Sequence, residues 1–97
     1  MWTVLFTEVA GTELIEAQDW YEERVPGLGR RFRSEIDKAV ARLAKDPEQF
    51  PVVFKALRRV RIKKFPYALF FAIAEETVLV VACFHSKRDP RHWQKRA

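Results

Sequence analysis

The sequence predicts an α+β domain with the element order β-α-α-β-β-β, in which a helical hairpin packs on one face of an antiparallel sheet. Two segments of the amino-terminal half carry apolar residues at helical spacing. In the carboxyl-terminal half the apolar residues instead alternate or run continuously over strand-length segments. The 97 residues suit one core and are too few for two, so we expect residues 1–97 to form a single domain.

The first half of the chain predicts one strand and two helices. Residues 2–6 (WTVLF) are β-branched and aromatic, as is typical of a short strand. A helical period begins at Glu8 and is broken by Pro26-Gly27, and a second one runs from Leu28 to Asp46-Pro47. The apolar faces comprise Ala10, Leu14, Ala17 and Tyr21, and then Leu28, Phe32, Ile36, Ala39, Val40 and Leu43. We expect an antiparallel helical hairpin with an acidic outer face on its first helix and with Trp20 and Tyr21 packed in the core.

The second half predicts three strands. Residues 57–65 (LRRVRIKKF) alternate, whereas residues 67–74 and 78–85 are nearly continuous apolar runs joined by the turn Glu75 to Thr77. These strands predict an antiparallel meander, and the first strand must join the same sheet to bury itself. The helical hairpin then covers one face, and we expect the opposite face to be left for a partner.

Charge is distributed unevenly along the chain. The net charge is +5, but residues 1–54 hold seven Lys/Arg and ten Asp/Glu, whereas residues 55–97 hold eleven and three. A half with a net charge of +8 indicates an acidic or polyanionic partner, either nucleic acid or an acidic protein segment. The single cysteine, Cys83, lies in an apolar run and is interpreted as a buried thiol in a reducing cytosol. We see neither a signal peptide nor a membrane span, and expect a cytoplasmic protein.

One predicted strand carries a row of cations. Alternation places Val60 and Ile62 on one face and Arg59, Arg61 and Lys63 on the other. Such a row is either a solvated face or a binding surface, and the concentration of positive charge in this half favours binding.

Several motifs, taken in order, resemble the RelE/ParE toxin superfamily and its ParE branch in particular. They are Trp20-Tyr21, Pro26-Gly27-Leu28-Gly29 before Phe32, Pro47, Arg58-Arg59, Phe65-Pro66-Tyr67, and the ending His85-x-x-Arg88-Asp89-Pro90-x-x-Trp93-x-x-Arg96. The resemblance covers nearly the whole chain. It implies the same fold, a small co-expressed antitoxin, and toxicity when that antitoxin is lost. The charge of the second half indicates that this antitoxin partner is acidic.

The resemblance implies two alternative mechanisms. ParE-like members inhibit DNA gyrase, whereas RelE-like members cut mRNA on the ribosome with Lys and Arg on the sheet and a Tyr near the carboxyl end. Here the terminal aromatic residue is Trp93, whose indole donates a hydrogen bond but cannot shuttle a proton. This difference favours the gyrase-directed reading, for which we assign no catalytic residue.

Three hypotheses remain for the site residues. In the first, a non-catalytic poison binds its partners through Arg59, Arg61, Lys63, Arg88, Arg91, Trp93 and Arg96. In the second, a metal-independent ribonuclease uses Arg61, His85 and Arg88. In the third, the basic row binds nucleic acid without catalysis. Some of these residues also have a purely structural interpretation. His85 could be a strand-end imidazole that hydrogen-bonds to the backbone, Arg88-Asp89 a turn-stabilising pair, and Trp93 a side chain packed on the sheet.

No cofactor or metal is expected. His85, Asp89 and His92 lie in an extended tail without a second ligand cluster, which is weak evidence for a metal site. The sequence also lacks a Ser/His/Asp order, a glycine-rich phosphate loop and a CxxC pair.

Overall fold

The secondary structure follows the predicted order with two additions. A computed structural model describes all residues, 1–97. In chain order it contains β1 (Thr3–Phe6), α1 (Glu8–Arg24), α2 (Leu28–Lys45), a 3₁₀ turn (Pro47–Gln49), β2 (Val52–Phe54), β3 (Leu57–Arg61), β4 (Tyr67–Ala74), β5 (Thr77–His85) and α3 (Arg91–Gln94). The α+β fold class is therefore confirmed, with β2 and α3 added. None of the helices combines the length and apolar character needed to cross a bilayer.

The five strands form one mixed sheet in the order β1-β5-β4-β3-β2. The predicted antiparallel meander is present as β3, β4 and β5, and the last two are joined by a two-residue turn at Glu75 and Glu76. The first strand joins the same sheet as expected, but β1 runs parallel to β5. Side-chain alternation is the same in both directions, so the sequence pattern did not specify this orientation.

The main core lies between the helical hairpin and the sheet. Ala10, Leu14 and Ala17 of α1 are buried, as the helical spacing predicts. They meet Phe32, Ile36, Ala39 and Leu43 of α2 and, from the sheet, Val60, Ile62, Leu69, Phe71, Val78, Val80 and Cys83. Cys83 is 3% exposed, which agrees with the predicted buried thiol.

Trp20 departs from its expected place in this core. Its side chain is 47% exposed, and the guanidinium of Arg24 lies 3.9 Å from the centre of its ring. Tyr21 does pack at the edge of the core, against Phe32 and Phe65. Adjacent helical residues are about 100° apart, so only one of this pair could face the sheet.

The turn between the helices depends on two glycines. Gly27 has φ of 89°, a left-handed conformation that L side chains rarely adopt. The Glu22 carboxylate accepts the N–H groups of Gly27 (2.8 Å) and Gly29 (3.0 Å). A Cβ at Gly29 would lie 2.6 Å from the carbonyl oxygen of Gln18, so glycine allows the helices to approach closely here.

The face of the sheet opposite the helices was expected to be free for a partner, but the protein itself covers part of it. A second apolar cluster covers part of it and comprises Leu57, Ala68, Phe70, Val81, Ala82, Phe84 and Trp93. Trp93 belongs to α3, which folds back over this face. The expectation failed because a single tryptophan in a polar tail has no periodicity to reveal that it is buried.

A β-bulge in β5 contributes to this second cluster. The register with β4 shifts between Phe70, opposite Ala82, and Phe71, opposite Val80. Val81 is therefore the extra residue, and both Val81 and Ala82 lie on the α3 side of the sheet.

Candidate functional site

Three arginines line a groove on the α3 side of the sheet, which we call the basic groove. Arg59 and Arg61 come from β3, and Arg88 comes from the segment between β5 and α3. The groove has a volume of about 390 Å³, and Phe70, Phe84 and Trp93 are among its lining residues. Cations and aromatic surface are thus combined on one accessible face.

The arginines of the basic groove have no carboxylate partner within the protein. The four ion pairs of the structure use the other cations Arg33, Lys38, Arg91 and Arg96. Arg88 instead lies over the ring of Phe84, with its guanidinium carbon 4.8 Å from the ring centre. The positive charge of the groove is therefore available to an acidic partner.

Lys63 lies just beyond the end of the strand that carries Arg59 and Arg61. The sequence placed it on the strand with Arg59 and Arg61, but β3 ends at Arg61. Lys63 lies in the following turn, where it still lines a cleft with Arg59 and Arg61. It also lines a small cleft with Arg61 and with Lys38 and Arg42 of α2.

His85 lines the basic groove, so the groove brings together Arg61, His85 and Arg88, the three residues of the ribonuclease hypothesis. His85 is opposite Tyr67 in the register, and the two ring centres are 5.1 Å apart. The Tyr67 ring in turn contacts Phe32 in the main core. Burial raises the pKa of the Tyr67 phenol. His85 Nδ1 accepts the N–H of Lys87 (3.0 Å), which is the structural alternative considered from the sequence.

The ion pair that the sequence suggested between Arg88 and Asp89 does not form. The Asp89 carboxylate is bound instead by Arg91, through Nε (2.9 Å) and Nη2 (2.7 Å). The hydrogen bonds from the Arg91 side chain, and then from its backbone N–H, hold the pKa of Asp89 below its usual value. Arg91 remains exposed over 80% of its side chain and can still reach a partner.

Trp93 is buried and is not the exposed anchor of the first hypothesis. It is 8% exposed, and its ring stacks on Phe70 with centres 3.9 Å apart and planes 15° from parallel. Phe54 meets it edge-on. Trp93 therefore fixes α3 to the sheet and contributes to the lining of the groove.

Arg96 is also used within the protein. Its Nη1 and Nη2 bind the two oxygens of Glu13 in α1 (2.8 and 3.0 Å), and Nη1 also donates to the carbonyl of Val81 at the bulge (3.0 Å). Glu13 accepts the Cys83 N–H as well (3.1 Å). The role of Glu13 is not visible in the sequence, because helical periodicity places this residue among the solvent-facing acids of α1.

No group of three His, Cys, Asp or Glu side chains is close enough to share a metal ion. Of the three residues considered for a metal, His85 packs on Tyr67, Asp89 binds Arg91, and the His92 ring stacks near Phe84. They do not converge on one point.

A larger apolar cleft of about 630 Å³ lies between α1 and α2. Gly11, Ile15 and Ile36 are among its lining residues, and its charged rim includes the paired Arg33 and Asp37. None of the predicted functional residues lines it. We place the candidate site in the smaller basic groove, because unpaired charge and the predicted arginines coincide there.

The fold and the groove together define a small α+β domain that presents unneutralised cations to a macromolecular partner. Comparison with known proteins shows to which family this domain belongs. The family model described as ParE toxin of type II toxin-antitoxin system, parDE, matches residues 4–90. The chain belongs to this ParE toxin family, and the resemblance seen in the sequence is confirmed.

Individual relatives agree with the family assignment. Toxin ParE2 of Mycobacterium tuberculosis, in strains CDC 1551/Oshkosh and ATCC 25618/H37Rv, is 24% identical over 79 residues, which are 80% of this chain and 75% of the relative. Among solved structures, a chain of the chromosomal ParDE TA system from P. aeruginosa superposes with a TM-score of 0.79 at 16% identity. That match covers 90% of this chain and 98% of the other, and it supports the fold. The protein is thus the toxin component of a type II toxin-antitoxin system, and its family implies a cognate antitoxin.

Proposed function

We propose that this toxin acts in the cytoplasm by inhibiting DNA gyrase without catalysing a reaction, and that its antitoxin silences it by covering the basic groove. The three arginines of the groove support this proposal most directly. Arg59, Arg61 and Arg88 share one face and lack carboxylate partners. A protein surface that supplies acidic groups would neutralise them, with exposed Arg91 at its margin.

The position of His85 supports a non-catalytic mode of action. A ribonuclease that used Arg61, His85 and Arg88 would need all three side chains around one phosphodiester. All three side chains line the basic groove. However, His85 Nδ1 accepts the Lys87 N–H (3.0 Å), so the lone pair that a neutral imidazole would need to act as a base is already occupied. These contacts favour a non-catalytic toxin, and the ribonuclease is the alternative that the experiments below can distinguish from it.

An acidic, flexible antitoxin segment fits the same charges. Residues 55–97 hold eleven cations and three acids, so a segment rich in Asp and Glu would associate rapidly and fold as it binds. We expect such a segment to compete with gyrase for the basic groove. A reading frame of under about 100 residues next to the gene would encode it.

A supercoiling assay with purified gyrase tests the proposal. The double variant Arg61→Ala/Arg88→Ala should need at least about tenfold more protein for half-inhibition, because it removes two unpaired cations from the contact surface. Lys55→Ala/Lys87→Ala removes the same charge from exposed positions outside the groove and should behave like the wild type.

His85→Gln separates the two mechanisms. The amide can still accept the Lys87 N–H but cannot act as a base, so gyrase inhibition should stay within a factor of about three. A loss of about a hundredfold in toxicity on expression of His85→Gln, as for a missing general base, would contradict a non-catalytic toxin. Cleavage of ribosome-bound mRNA by the wild type, without any effect on gyrase, would replace the proposal with the ribonuclease.

A further inference from the structure

A second group of cations lies along helix α2, next to the basic groove, and Arg61 lines a cleft with two of them. At about 100° per residue, four cations of this helix fall within roughly 60° of one another around its axis. At about 1.5 Å per residue they extend over about 21 Å. These cations are Arg31, Lys38, Arg42 and Lys45.

Two lysines of the β3-β4 turn extend this line of charge. Lys63 lines a cleft with Lys38 and Arg42, and Lys64 lines a neighbouring cleft with Arg31. Lys64 has φ of 71°, so the backbone turns sharply at this point. We name the four α2 cations together with Lys63 and Lys64 the basic ridge.

The basic ridge is exposed and hardly neutralised. All six residues are exposed. Only Lys38 has an acidic partner, the largely buried Glu35 at 3.3 Å, and the Lys38 side chain is still 68% exposed. Arg42 lies above the ring of Phe50, which keeps its guanidinium extended at the surface.

We propose that the basic ridge binds the phosphate backbone of double-stranded DNA without regard to sequence. Duplex DNA is a stiff rod that carries one negative charge about every 1.7 Å along its axis. A straight helix with regularly spaced cations suits this partner, since phosphate contacts need charge and reach but no pocket. The inference does not depend on gyrase, because the substitutions that test the ridge leave Arg59, Arg61 and Arg88 of the basic groove unchanged.

A flexible acidic peptide fits the ridge less well than a duplex. Segments that fold on binding gain most of their affinity from apolar contacts in a groove. The exposed α2 residues between the ridge cations include the small side chains of Ser34 and Ala41, which offer little apolar area. An acidic peptide is therefore the competing occupant in the test.

Fluorescence anisotropy with a labelled duplex of mixed sequence, about two helical turns long, tests the inference. The first variant replaces the four α2 cations with Gln. The matched control replaces Arg24, Lys55, Lys87 and Lys95 with Gln; these are exposed cations outside the ridge, so both variants carry the same net charge. Circular dichroism confirms that each variant folds, and amide shifts of the wild type map the contact independently.

The salt dependence gives the expected result. The wild type should show a slope of log K against log [KCl] of about −4 or steeper, since each neutralised phosphate contributes about −0.9. The ridge variant should lose about three units of that slope and bind at least about tenfold more weakly, whereas the control should lose less than one unit. The amide shifts should centre on α2 and on Lys63-Lys64.

Three results would overturn the inference. The first is an equal loss of affinity in both variants, which would indicate an effect of net charge alone. The second is a set of amide shifts confined to the basic groove. The third is binding of an octaglutamate peptide to the ridge as tightly as the duplex at the same salt concentration. The last result would assign the ridge to an acidic protein partner instead.

Discussion

Replacing Glu13 with Ala should destabilise the protein far more than a typical substitution of an acidic helix residue. The carboxylate accepts three hydrogen bonds, two from Arg96 and one from the backbone N–H of Cys83. These contacts join three separate parts of the chain: α1, β5 and the carboxyl-terminal segment. They lie where β1 has ended and β5 would otherwise have a free edge, just beyond the bond from the Thr7 N–H to Val80.

The size of the effect follows from burial. The side chains of Glu13 and Arg96 are 15% and 27% exposed, between the limits of a surface ion pair, worth about 0–1 kcal/mol, and a buried one, whose disruption costs about 3–5 kcal/mol. Glu13→Ala also leaves the N–H of buried Cys83 without an acceptor, which costs about 1–3 kcal/mol. We expect a loss of about 2–3 kcal/mol in the free energy of unfolding.

Urea unfolding followed by circular dichroism measures this loss. Glu16→Ala is the matched control, since Glu16 is an exposed acid on the same helix and should change stability by less than about 0.5 kcal/mol. A double-mutant cycle with Arg96→Met should give a coupling energy of about 1 kcal/mol or more. If Glu13→Ala costs no more than Glu16→Ala, the Glu13 contacts do not hold the carboxyl-terminal segment.

Other predictions concern packing and titration. Gly29→Ala should cost about 1–3 kcal/mol of unfolding free energy in urea, because the added Cβ would meet the Gln18 carbonyl oxygen at 2.6 Å. Gly11→Ala should instead gain about 0.5–1 kcal/mol, because no atom lies within 4 Å of the added Cβ. Equal effects of the two substitutions would contradict the close helix contact. Trp93→Ala should cost about 3–5 kcal/mol, and a near-neutral result would show that α3 does not pack on the sheet. Burial raises the pKa of the Cys83 thiol from 9.0 to about 12, so the unfolded chain loses this proton first. Its contribution to stability should be intact below about pH 9 and decline towards pH 12. Urea titrations of Cys83→Val should therefore show a smaller decline over this range than the wild type, and the remaining decline comes in part from Tyr21 and Tyr67, whose pKa values burial also raises.

The sequence predicted the elements that have a clear period. Ala10, Leu14 and Ala17 are buried because three- and four-residue spacing fixes one face of a helix whatever it packs against. The three-residue strand β2 and the four-residue helix α3 are too short to show a period. The parallel orientation of β1 was equally hidden, since it depends on where the helical hairpin returns the chain.

The candidate site could be predicted only in part for a related reason. Arg59 and Arg61 share a face because they lie two residues apart on one strand. Arg88 joins them through a tail whose course is determined by Trp93 and Arg96, and both of these act on partners distant in sequence. Net charge identified the half of the chain that holds the groove, but it could not distinguish free cations from paired ones.

The carboxyl-terminal segment therefore contains cations of two kinds. Arg88 and Arg91 are exposed and available to a partner, whereas Arg96 is held by Glu13 and the bulge in β5. A truncation before Arg88 would remove the exposed cations together with Trp93, and so uncover the second apolar cluster. Loss of toxicity in such a truncation would reflect unfolding as much as a lost contact. Only point variants, with the unfolding free energy measured beside toxicity, can separate the residues that bind a partner from those that hold the segment in place.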